Sequence, residues 1–167
     1  MATFVVTNLN DAGAGSFRAA ITAADGDLSG TPTVIEFTVN GTITLASDLP
    51  AITQTVKIDA TSAPTYASGG PPVVEINSNN NAGLVFATGS AGSQLLGLAV
   101  DNANGNGVTL NASFITLNDN YIGLNLAGAA FGERWIDRGP LRRQLRAAFE
   151  APVGVGFCHL GAVGFGT

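Results

Sequence analysis

Charge is what this chain has least of. Asp, Glu, Lys and Arg make up only 11% of its 167 residues, against about 25% in an average soluble protein. Yet 46% of the residues are hydrophobic, too many for a disordered chain. Cysteine occurs once, as Cys158, so no internal disulfide can form, and the count leaves the redox compartment open. Histidine also occurs once, as the adjacent His159. Neighbours on a strand point to opposite faces, so the two make a poor nucleophile and base, and one His with one Cys is too few for zinc. There is no Gly-x-Ser-x-Gly elbow. No apolar run approaches the roughly 18 residues that span a bilayer, so membrane insertion is not expected. Met1-Ala2-Thr3-Phe4 opens without the basic and apolar regions of a signal peptide, which predicts a cytoplasmic location for the chain as expressed.

The few charges are unevenly placed. Residues 1–132 carry a net −7 and residues 133–167 a net +2, five arginines included. An acidic body argues against nucleic acid as a partner. The asymmetry predicts two kinds of sequence, a body over 1–132 and a tail over 133–167.

What is abundant is turn-forming and β-branched. There are 22 Gly, with many Asn, Thr and Ser. Phe4 to Thr7 reads as a strand. Ser16 then N-caps a helix to about Ala24, with Phe17, Ala20, Ile21 and Ala24 on one stripe. From Thr33 the period changes from 3.6 to 2. Short alternating runs follow at Val34 to Val39, Thr42 to Leu45, Thr55 to Asp59 and Val73 to Asn77. Further runs are Leu84 to Phe86, Leu95 to Val100, Val108 to Leu110, Phe114 to Leu117 and Tyr121 to Leu124. A weak repeat links Gly83-Leu84-Val85-Phe86 to Gly107-Val108-Thr109-Leu110, and Ser93-Gln94-Leu95-Leu96 to Ser113-Phe114-Ile115-Thr116. Spacings of 24 and 20 residues predict stacked coils. Ile35, Phe37, Ile43, Leu45, Val56, Ile58, Val74 and Ile76 would face inward, and Glu36, Lys57 and Glu75 would form an outward column. The helix would cover an open sheet edge. The predicted fold is therefore all-β: a right-handed parallel β-helix with an N-terminal capping helix.

Val6-Thr7-Asn8-Leu9-Asn10-Asp11 followed by Gly13-Ala14-Gly15-Ser16-Phe17-Arg18-Ala19-Ala20-Ile21 resembles the N-terminal signature of bacterial cell-surface β-helix proteins, pectate-lyase-like and of the CSLREA type. Gly41 to Leu45, Leu49 to Thr53, Val56 to Asp59 and Asn118 to Gly123 continue the resemblance, which covers about 3–126. It implies an extracellular or cell-surface parent and a structural Arg18. In size and type alone, the chain also resembles a small metagenome-derived calcium-dependent hydrolase acting on lactones.

The resemblance stops near Phe131-Gly132. Glu-Arg-Trp-Ile, read one base out of frame, gives Asn-Gly-Gly-Ser for one choice of codons, so the tail is expected to be an out-of-frame or artificial end to a truncated gene. Leu141, Leu145 and Ala148 share a helical face after Gly139-Pro140, which predicts a partly helical end cap or dimer contact. Pro152 to Thr167 reads as one further strand. An open sheet end also favours a homodimer.

Two chemistries are expected on the body. Asp101, Asn102, Asn104, Asn118, Asp119 and Asn120 gather oxygen donors suited to Ca2+, although residue 113 is Ser where an EF-hand needs Glu. Paired carboxylates for sugar hydrolysis need a separation of about 5–10 Å; Asp59 with Glu75, or Asp101 with Asp119, are the candidates. Two functions follow: a non-catalytic extracellular-type module whose polar face binds calcium and a glycan or small molecule, or a calcium-dependent hydrolase of a sugar, an ester or a lactone such as acyl-homoserine lactone.

Overall fold

A computed structural model describes residues 1–29, 32–129 and the strand at 134–137. The chain runs through β1 (Thr3–Val6), α1 (Phe17–Asp25), β2 (Thr33–Phe37), β3 (Gly41–Thr44), β4 (Val56–Asp59), β5 (Val74–Asn77) and β6 (Leu84–Phe86). It continues through β7 (Gln94–Leu96), β8 (Leu98–Asp101), β9 (Asn106–Leu110), β10 (Thr116–Asn118), β11 (Tyr121–Ile122) and β12 (Arg134–Asp137). The strands form three sheets, ordered β1-β2-β4-β7-β10, β11-β8-β5-β3 and β12-β9-β6. Every pairing in them is parallel.

The expected all-β, right-handed parallel β-helix is overturned. Among the described residues the three sheets are open, and an α-helix is built into their shared core. Phe17, Ala20, Ile21 and Ala24 of α1 are buried in one cluster with Ile35, Ile43, Ile58, Ile76, Leu84, Leu95 and Val108 from the strands. The Phe17 and Phe37 rings lie 5.4 Å apart, tilted by 42°. A mixed α/β fold of parallel sheets describes this arrangement. The apolar stripe of α1 is the expected one, and it packs against β1, the edge strand of the five-stranded sheet, and against β2.

Local signals explain α1. The Ser16 side chain accepts a hydrogen bond from the Ala19 N–H at 3.2 Å, satisfying one of the first-turn donors. The Gly26 N–H closes the other end on the Thr22 carbonyl at 3.1 Å. Arg18, on its exposed side, pairs with Asp11 at 2.6 Å and donates to the carbonyls of Ser47 and Asp48. It is a structural clamp.

Strand register settles which repeats are real. Leu84, Val85 and Phe86 pair with Val108, Thr109 and Leu110, the spacing of 24 read from sequence. Gln94 and Leu95 pair with Thr116 and Leu117, a spacing of 22 rather than 20. The run from Leu95 to Val100 is two strands, broken at Gly97. The outward column does not form: Glu36 pairs with Asp59, Lys57 with Val34 and Gln94, and Glu75 with Thr42 and Ala99. Glu75 is buried, at 5% exposure. All eight residues expected inside are buried.

β12 pairs with β9, Arg134 opposite Asn106 and Ile136 opposite Val108. The change of sequence character at 132/133 is therefore not a break in the sheet. Cys158, His159, the expected helix around 141–148 and the expected strand at 152–167 lie outside the described residues. No helix among the described residues is long and apolar enough to cross a membrane.

Candidate functional site

Parallel strands alternate their side chains between two faces. In the five-stranded sheet Ile35, Ile58, Leu95 and Leu117 turn into the core. The opposite face therefore carries Val34 and Glu36 on β2, Lys57 and Asp59 on β4, Gln94 and Leu96 on β7, and Thr116 and Asn118 on β10. This strip carries three charged side chains, Glu36, Lys57 and Asp59.

Lys57 and Asp59 lie two residues apart on that face, Nζ 2.6 Å from Oδ2, with side chains 39% and 12% exposed. The other carboxylate oxygen, Oδ1, accepts from the Thr61 N–H at 3.1 Å and from the Thr61 hydroxyl. Burial pushes the Asp59 pKa up, but the hydrogen bonds from Lys57 and Thr61 outweigh it and hold the carboxyl below its ordinary value of 3.8. Asp59 stays ionised.

Residues 60–73 connect β4 to β5, beginning with a 3-10 turn at Ala60–Ser62 that Asp59 caps. The connection folds back onto the bend between β7 and β8. There Gly97 has φ +66, and a Cβ on it would stand 2.7 Å from Thr61 Cγ2 and 3.3 Å from Tyr66 Cε2. Glycine is needed for the backbone angle and for the close approach. Tyr66 is half-buried at this bend. Burial, then the Asp119 carboxylate, and more weakly Asp59, raise its phenol above the ordinary 10.0. Asn118 donates from Nδ2 to Asp119 Oδ2 at 3.0 Å. Lys57, Asp59, Thr61, Tyr66, Asn118 and Asp119 thus form one cluster at the end of the polar strip.

The carboxylate pairs expected from sequence are arranged differently. Asp59 lies in the five-stranded sheet and Glu75 in the four-stranded one. Glu75 faces away from the core, and its Oε2 accepts from the Leu126 N–H at 2.8 Å. Asp101 ends β8, whereas Asp119 precedes β11, the strand paired with β8. It is Asp59 and Asp119 that share a neighbour, Tyr66.

The six expected calcium donors do not fit a single cage. Asp101, Asn102 and Asn104 sit where β8 turns toward β9; Asn102 donates to Asn77 Oδ1 at 3.0 Å. Asn118, Asp119 and Asn120 sit where β10 turns toward β11. Asn120 is fully buried and spends both amide atoms on backbone, accepting from Leu98 N–H at 2.9 Å and donating to the Leu95 carbonyl at 2.7 Å. Leu98 starts β8 and Asp101 ends it, a separation of about 10 Å along the strand. No group of three or more His, Cys, Asp or Glu among the described residues gathers so as to hold a metal ion.

Sequence reasoning missed Tyr66. Its signal was present: it is the lone aromatic between Phe37 and Phe86, set in a loop of Pro, Ser and Gly. No family model, curated protein or solved structure matches this chain.

Proposed function

We propose that the polar face of the five-stranded sheet binds a neutral glycan without cleaving it. The observation that carries this reading is the Lys57, Asp59, Tyr66 and Asp119 cluster: a partly exposed Lys57 held by a buried Asp59 beside a half-buried aromatic ring. Sugar hydroxyls take both donors and acceptors, and the apolar side of a sugar ring packs on an aromatic. Glu36, Asp59 and Asp119 outnumber Lys57 on this face, which disfavours an acidic sugar. Asp59 is already paired twice, which suits binding better than proton transfer.

The test is isothermal titration of the full chain with neutral and uronate oligosaccharides, repeated with Lys57→Met. Binding of neutral sugars, weakened at least several-fold by the substitution, supports the reading. The competing reading is a calcium-dependent hydrolase of a sugar, ester or lactone. Turnover of any such substrate that disappears on adding EDTA would replace the binding module with that enzyme.

A further inference from the structure

Among the described residues, five non-glycine residues have positive φ. Four are Asn79, Asn80, Asn102 and Asp119, residue types that tolerate the left-handed region. The fifth is Phe114, at φ +59 and 48% exposed. A bulky residue is strained there, and such strain persists only where the surroundings hold the backbone in place. They do. Ala112, two residues before it, and Ile115, directly after it, are buried. The Gly92 N–H donates to the Ser113 carbonyl at 3.0 Å, and the Thr116 N–H to the Ser93 carbonyl at 2.9 Å.

The fold has no need of a ring at this position. Gln94 pairs with Thr116, so the residue matching Phe114 one strand below is Gly92, itself at φ +80. A Cβ on Gly92 would meet only Thr55 Cγ2, at 3.8 Å. The corner is open, and the left-handed turn is served by glycine in one strand and by a strained, exposed phenylalanine in the next.

Phe114 stands two residues before Thr116 on the polar strip, and Asp119, beside Tyr66, stands at its other end. β10 (Thr116–Asn118), flanked by the left-handed Phe114 and Asp119, separates them, a span of at most about 16 Å, or no more than about three sugar rings. We infer that Phe114 is a second aromatic platform of the glycan face, so that the site takes an oligosaccharide of up to about three rings reaching from Phe114 to Tyr66. The inference rests on the binding reading above and adds to it a length requirement and a residue.

The full chain is titrated with cello-, xylo-, manno- and chito-oligosaccharides of two to about six rings, as wild type and as Phe114→Asn, Phe114→Trp and Lys57→Met. Wild-type affinity should rise up to about three rings. Phe114→Asn should remove that rise, about a tenfold loss for the longer ligands, leave two-ring binding intact, and raise the unfolding midpoint by a few degrees as strain is relieved. Phe114→Trp should keep the length dependence. Lys57→Met should weaken binding at every length. An unchanged length dependence in Phe114→Asn, a lowered midpoint, or self-association that Phe114→Asn abolishes would overturn the role of Phe114 while leaving the Lys57 result, and the binding reading, standing. No binding of any oligosaccharide by the wild type would overturn both.

Discussion

Lys57 and Asp59 reach the same side of β4 and close an ion pair of 2.6 Å across a two-residue step. Alternation alone places both on one face. The Thr61 turn then supplies the second partner that keeps the carboxylate charged despite its burial.

The acid limb of stability should report this pair. The folded pKa of Asp59 lies below 3.8, so its contribution is present above that value and is lost as pH falls through the folded pKa. Asp59→Asn should lower the unfolding midpoint at neutral pH and flatten its fall below about pH 4. Thermal unfolding across that range checks it; a wild-type acid limb in the variant would contradict the pairing.

Tyr66 sets the opposite limb. Its phenol is raised above 10.0 by burial and by Asp119, so the neutral ring's stabilisation is complete below the ordinary pKa and is lost as pH rises through the folded one. Tyr66→Phe should lessen the loss of stability above about pH 10. Absorbance titration of tyrosinate, wild type against variant, locates the late-titrating group.

Gly97→Ala should destabilise by about 1–3 kcal/mol through left-handed strain and contact. The new Cβ would meet Thr61 Cγ2 at 2.7 Å. Thr61→Ser, which removes that methyl, should recover the contact part and leave the strain part. A double-mutant cycle by chemical denaturation separates the two. The same variant should bring the Tyr66 titration back toward its ordinary value as the loop shifts.

Asn120→Ala should cost about 2–4 kcal/mol, since it leaves a buried N–H and a buried carbonyl without partners. Calcium should change neither the wild-type midpoint nor the size of this loss. A calcium-dependent midpoint that Asn120→Ala abolishes would show a ligand where the structure has a backbone brace.

Much of the local structure was legible in sequence. Ser16 and the stripe from Phe17 to Ala24 located α1, and the alternating runs located nearly every strand. Phe114 to Leu117 was the instructive miss. Its composition reads as strand, but Phe114 takes a left-handed angle and β10 begins at Thr116. No local propensity predicts a strained phenylalanine. The candidate site was harder to read. Asp59, Asn118 and Asp119 were picked out individually, but Asp59 was paired with Glu75 and Asp119 with Asp101. Pairing by sequence spacing assumed one regular repeat, whereas the register steps by 23 residues from Thr33 to Val56 and by 37 from Lys57 to Gln94.

By itself the sequence determined the elements, through capping, periodicity and turn residues, because those forces act within a few residues. It determined also that the chain as a whole would carry few charges. Only the tertiary structure decided that the helix joins the core, that Glu75 is buried and accepts from the Leu126 N–H, and that the loop after β4 brings Tyr66 to Asp119. Those outcomes depend on register and on loop closure over tens of residues, which no short-range pattern encodes.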